Sequence, residues 1–138
     1  MSLDWFIDML FLQAIKEGKE IDMEGLENFY LEHIRLTIKK YLSKKTDEEK
    51  NLFSTQIFLF HANDLNALFL PKIITMLRED GWRIGTPDEM VDNPDNQLVD
   101  FKTFIDLKVW LDSKNISRFH DTDKITQDFN KQVLRLGN

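Results

Sequence analysis

The stretch that decides the predicted fold is Gln56-Ile57-Phe58-Leu59-Phe60-His61-Ala62-Asn63-Asp64. Residues 57–60 form an uninterrupted apolar run that contains a β-branched residue and two aromatic residues. A run of this kind, ended by a polar turn, is typical of a strand buried on both faces. In parallel α/β folds, catalytic side chains lie at the carboxyl ends of such strands. His61 occupies that end and is therefore the first candidate for chemistry.

A helix and a second apolar segment follow this strand. Residues 65–78 have helical character, although Pro71 requires either a place in the first turn or a kink. Gly81 ends the helix, and residues 82–85 read as a second strand. The sequence therefore predicts an α/β fold with a short parallel βαβ unit, flanked by N- and C-terminal helices.

Two parallel strands leave unpaired edges, so the predicted sheet is incomplete. Three solutions remain open. Helices cover the edges, a second copy of the chain completes them, or part of the domain lies outside this chain.

The N-terminal third predicts two helices. In the first, Trp5, Met9, Leu12 and Ile15 form one stripe, and other faces are apolar as well, so burial on several sides is expected. This helix stops near Gly18. The second begins after an Asp22 cap, with apolar residues at helical spacing. Its stripe is Met23, Leu26, Phe29 or Tyr30, Ile34, Ile38 and Leu42.

Capping patterns mark further helices. Thr46-Asp47-Glu48-Glu49 matches a capping box, and Thr86-Pro87-Asp88-Glu89 gives a cap, a proline and a glutamate at the third position. Asn63 and Asp64 are expected to cap the helix that follows His61. Thr122 is the predicted cap of a last helix. We expect residues 95–138 to form a helical C-terminal extension packed on the same domain as residues 1–94.

Composition narrows the function. A chain of 138 residues predicts one domain, and a net charge of −6 argues against a nucleic-acid partner, which requires a basic face. With no cysteine, thiolate and disulfide chemistry are excluded. No stretch reaches about 18 uncharged apolar residues, so no membrane span is expected. Asp4 and Asp8 interrupt the apolar N-terminus and no basic region precedes it, which argues against a signal peptide. We expect a soluble chain, and the sequence leaves its cellular compartment undetermined.

The same segments resemble a known family. The residues concerned are Ile57-Phe58-Leu59-Phe60-His61-Ala62-Asn63, Leu65-Asn66-Ala67, Leu77, Gly81-Trp82-Arg83, Thr86-Pro87-Asp88-Glu89 and, earlier, Ser2-Leu3-Asp4-Trp5. These segments, in their order along the chain, are similar to the C-terminal portion of the polysaccharide deacetylases, over residues 2–94. The resemblance implies a deformed (β/α) barrel, of which this chain would supply a helix-rich part.

The resemblance also implies site residues. His61 would be the general acid that protonates a departing amine, and Asp4 would pair with it and keep it protonated. Trp5 would line the groove for an N-acetylated polysaccharide or oligosaccharide. In the complete family domain, a divalent metal, usually zinc, activates the attacking water.

The metal motifs of the family are missing, so we expect no cofactor in this chain and no activity from it alone. His33, His61 and His120 have no ligand spacing. Structural roles also stay open: His61 closing a strand, Asp4 as a helix-start charge and Trp5 as core. The alternative function is a non-enzymatic interaction module, possibly a homodimer. An independent enzyme using His61 with Asp64 or Asp121 is the least supported.

Overall fold

A computed structural model describes residues 5–43, 56, 58–86, 88–89 and 121–135. Four helices lie within these ranges: α1 (Trp5–Lys16), α2 (Met23–Ser43), α3 (Asp64–Glu79) and α4 (Thr122–Gln132). Of the described residues, 72% are helical, and they form no sheet. The part of the chain that can be described is therefore a helical assembly.

The four helices enclose one apolar core. α2 contacts both α3 and α4, and α4 also contacts α1. Each helix contributes residues spaced three or four apart, because that spacing places them on one face. The fully buried large side chains are Ile7, Leu26, Tyr30, Ile34, Leu65, Ile73, Phe129 and Val133.

Two glycines end helices as the sequence predicts. Gly18 and Gly81 have φ values of 67° and 87°, a region that residues with a Cβ rarely adopt. After α1, the Gly18 N–H donates to the Ile15 carbonyl at 2.9 Å, and the next N–H donates to Ala14 at 3.0 Å. The turn at Gly81 has the same pair of hydrogen bonds, which defines the Schellman motif. The turn at Gly81 places Trp82 against the core.

The predicted N-terminal caps are mostly confirmed. Asp22 accepts hydrogen bonds from the N–H groups of Glu24 and Gly25, at 3.1 and 3.2 Å. Asn63 caps α3. The last helix begins one residue earlier than expected, because Asp121 accepts from the Lys124 N–H at 3.0 Å.

The connection between α1 and α2 pairs with the C-terminal end of the described chain. Ile21 and Leu134 form an isolated antiparallel bridge. The Asp22 N–H donates to the Val133 carbonyl at 2.8 Å. Gly25 lies so close to this segment that a Cβ there would collide with a backbone carbonyl oxygen. The C-terminal segment is thus joined to the N-terminal helices by its backbone as well as its side chains.

The predicted α/β fold, a partial (β/α) barrel with a βαβ unit, is wrong. Within the segment predicted as the first strand, Phe58 and Phe60 pack against the helical core while Leu59 is 55% exposed. Residues 82–85 form no strand; Trp82 is half-buried and Ile84 is exposed. The physical reason is that the aromatic side chains are buried against helices, so no neighbouring strands are needed. Ile57 itself lies outside the described residues.

The predicted connecting helix exists as α3, but no described residue on either side of it belongs to a strand; Leu59 is a single bridge residue. Pro71 lies inside α3, beyond its first turn. It is exposed, and its carbonyl accepts a bond from the Thr75 hydroxyl at 3.0 Å. The cap predicted at Thr46 lies outside the described residues.

Candidate functional site

The start of α3 gathers buried polar groups around the His61 backbone. The His61 carbonyl accepts one bond from the Asn63 N–H at 3.0 Å and another from the Asn66 side-chain amide at 2.7 Å. The Asn63 side chain in turn accepts from the Asn66 N–H at 2.9 Å. These short-range bonds fix the turn that follows His61.

Asn66 connects this turn to the core. Its side-chain oxygen accepts a bond from the buried Tyr30 hydroxyl on α2, at 3.0 Å. Both ends of the amide are therefore engaged, as burial of a polar group requires. Asn66 determines where the His61 turn sits against α2.

Asp8 brings α1 to the same place. Its carboxylate is buried and accepts a bond from the Leu65 N–H at 3.1 Å. A carboxylate at this position satisfies a backbone donor in the first turn of α3 and complements the helix dipole. The first turns of α1 therefore pack against the segment that follows His61.

The sequence-predicted site residues are only partly placed. The His61 side chain is exposed next to its fixed backbone. Asp4 lies outside the described residues, so its predicted pairing with His61 stays a prediction. Trp5 is the first residue of α1, and its side chain is likewise outside the described part. Two described acidic residues lie at this turn: Asp8, four positions after Asp4 in the sequence, and Asp64, the first residue of α3.

The zinc implied for the complete family domain does not fit the described residues. Among them, no group of three or more histidine, aspartate or glutamate side chains could hold a metal ion. His33 is half-buried on α2, and His120 lies outside the described part.

Sequence reasoning missed the network because its members look unremarkable separately. Asp8 interrupts an apolar helix, and Asn66 lies between apolar residues of α3. A polar residue on an otherwise apolar face is the signal for a buried hydrogen bond. The partner, Tyr30, lies 36 positions away and could not be read from spacing.

A second feature is the ion pair that joins α2 to the end of α3. The Arg35 guanidinium donates two bonds to the Asp80 carboxylate, at 2.8 and 3.1 Å. Asp80, and to a smaller extent Glu32, raises the pKa of Arg35 further above its usual value. Two grooves border this pair: Arg35 lines both of them, and Asp80 lines the second.

The first groove, which we call the Met76 groove, has a volume of about 570 Å³. Charges of both signs line it, among them Glu32, Lys72 and Glu79. The second, the Trp82 groove, has a volume of about 540 Å³. Its lining residues are Arg35, Ile38, Lys39, Leu42, Ser43, Asp80 and Trp82.

A third feature is the solvent side of α1. Met9, Leu12 and Ile15 are 43, 45 and 52% exposed and follow one another at three-residue intervals. We call these three residues the outer face of α1. The opposite face, with Ile7 and Phe11, is buried in the core. The expectation that α1 is buried on several sides is therefore met on its inner face alone.

No helix in the described ranges is long and apolar enough to cross a membrane. Comparison of the chain with protein-family models, curated proteins and solved structures gives no match.

Proposed function

We propose that this chain is a non-enzymatic interaction module that associates with a second copy of itself. The observation that carries the proposal is the outer face of α1, where Met9, Leu12 and Ile15 remain about half exposed. Isolated exposed apolar residues are common, but three on one helical face mark a surface suited to protein contact.

A second copy is the occupant that this face favours. In a twofold contact each residue meets the same patch of the partner, so an apolar patch is complementary to itself. A charge at the centre would oppose its own copy; the three residues of the outer face carry none, and Lys16, on the same side of α1, lies at the C-terminal end of the helix.

The size of the face sets the expected affinity. A stable interface buries about 800 Å² on each partner, which is more than three half-exposed side chains provide. Full burial of one such side chain contributes about 1.5–3 kcal/mol, and these are already half-buried. We therefore expect a weak, concentration-dependent dimer centred on α1.

Sedimentation velocity over a range of chain concentrations tests the proposal. The sedimentation coefficient should rise with concentration in the wild type and stay at the monomer value in Leu12→Glu. Leu36→Glu is the matched control, because Leu36 is also exposed but lies on α2. Circular dichroism must show that both variants fold. A wild-type chain that stays monomeric at all concentrations, or a Leu36→Glu variant that loses association equally, contradicts the proposal.

The deacetylase resemblance supports a second candidate function, a part of a hydrolase that acts on N-acetylated sugars. One observation favours it: the Asp8 bond to the Leu65 N–H sets the first turns of α1 beside the His61 turn. That arrangement is consistent with the predicted partnership of His61 and Asp4. It does not extend to the barrel fold, which the structure contradicts.

This candidate is tested by adding zinc and a chromogenic acetylated chitooligosaccharide to the full chain. We expect no turnover. Release of acetate that is lost in His61→Ala would instead make the hydrolase the better account.

A further inference from the structure

We propose that the Trp82 groove is a second interaction site, which binds a partner-protein segment carrying a leucine-like apolar side chain next to carboxylates. This site shares no residue with the outer face of α1, and it calls for a partner of different chemistry.

The floor of the groove is apolar and rigidly placed. Ile38 is buried on α2, and Leu42 and Trp82 pack against the core. The Trp82 backbone N–H donates to the Leu77 carbonyl at 2.9 Å. The indole ring packs edge-to-face on the Phe58 ring, with 5.5 Å between the ring centroids. One bond places the Trp82 backbone and one ring contact places its side chain, so this large aromatic residue needs little ordering when a partner binds.

The rim of the groove is positively charged. Arg35 is neutralised by Asp80, but Lys39 forms no ion pair within the described part of the chain. The described residues that line the groove therefore include two cations and one carboxylate, on a protein whose net charge is −6. An acidic segment complements this rim, whereas a basic one would meet repulsion.

The helix dipole gives Lys39 a simpler role, because cations near a helix carboxyl end are favourable. That role accounts for the charge but not for the apolar floor beside it. A volume of about 540 Å³ is also within the range of small-ligand pockets. Apolar floor, fixed tryptophan and cationic rim together point to an acidic partner with an apolar anchor.

Peptide titration of the full ¹⁵N-labelled chain tests this site, with the Trp82 indole N–H as reporter. The probe is acetyl-Glu-Leu-Glu-Glu-Leu-Glu-amide, with two control peptides that replace either every glutamate by lysine or every leucine by serine. We expect a saturable shift of the Trp82 signal with the first peptide and much weaker shifts with both controls. Equal responses to the lysine peptide, or no response at Trp82, would overturn the proposal.

Variants locate the effect. Lys39→Glu should weaken binding of the acidic peptide about tenfold, because the rim charge is reversed. Lys131→Glu is the matched control: Lys131 is exposed near the carboxyl end of α4, away from the groove. An unchanged affinity in Lys39→Glu contradicts the site. Leu12→Glu should leave the Trp82 response intact, so this test is separate from that of self-association.

Discussion

Two places in the molecule bring distant extended segments together, and they do so by different means. Ile21 and Leu134 pair through the backbone, in a bridge that the apolar pattern around neither residue predicts. Phe58 and Trp82 come from the two predicted strands, yet the contact described between them is one of side chains. Among the described residues of the two predicted strands, none belongs to a strand, and Leu59 is a single bridge residue.

The difference teaches what an apolar run requires. Edge-to-face aromatic pairs occur in both halves of the comparison: Phe29 of α2 meets Phe129 of α4 at 5.8 Å, and Phe58 meets Trp82 at 5.5 Å. Apolar side chains need burial, and helices provide it as well as neighbouring strands do. Backbone pairing instead occurs where α1, α2 and α4 bring two chain segments side by side.

The largest expected effect separates the two aromatic pairs. Phe129→Ala should lower the free energy of unfolding by about 3–5 kcal/mol, because Phe129 is fully buried where α4 meets the core. Phe58→Ala should cost about 1–2 kcal/mol, since Phe58 is half-buried. Urea denaturation measures both. Equal losses would show that the Phe58 segment is as integral to the core as α4.

Asn66→Ala tests how much the side-chain hydrogen bonds at the His61 turn contribute to the free energy of unfolding. The substitution deprives two groups of their Asn66 partner, the Tyr30 hydroxyl and the His61 carbonyl, and should cost about 2–3 kcal/mol. Asn130→Ala, at an exposed position on α4, is the control and should change stability little.

Hydrogen exchange localises the same effect. In Asn66→Ala, the Asn63 N–H should exchange faster, whereas the Asp22 N–H, bonded to Val133, should be unaffected once global stability is allowed for. Equal acceleration at both amides would mean that the His61 turn and the C-terminal segment open together.

Local sequence signals predicted much of the helical structure. Gly18, Gly81, Asp22 and Asn63 act within a few residues of chain, so their effects can be read from the sequence. The stripe of α2 is mostly correct for the same reason, although Met23 is exposed.

The tertiary fold and the polar network could not be predicted in this way. The run at residues 57–60 satisfies the criteria for a buried strand, and nothing local distinguishes burial against a sheet from burial against helices. The contact of Tyr30 with Asn66 and that of Asp8 with Leu65 join distant positions. The catalytic roles predicted for His61, Asp4 and Trp5 rest on a family resemblance and stay predictions.

The smallest expected effect is an acid-induced loss of the capping bonds in the segment that follows Trp82. Glu89 and Thr86 form the predicted reciprocal capping box, with the Thr86 N–H donating to the Glu89 carboxylate at 2.7 Å. This bond and, next, the charge of Arg83 hold the pKa of Glu89 below its usual 4.5. The stabilisation is therefore complete above pH 4.5 and is lost as the pH falls through the lowered pKa.

An NMR titration of the Thr86 amide should show that loss below pH 4.5, and Glu89→Gln should abolish the titration while retaining an acceptor. The Val133 amide is the internal reference, because it donates to the Phe129 carbonyl and neither residue has an ionisable side chain. A parallel shift of both amides would mean that acid acts on the whole fold and would remove the distinction between a locally capped segment and a backbone-paired one. A shift at Thr86 alone would show that the segment after Trp82 is organised locally, by its own side chains.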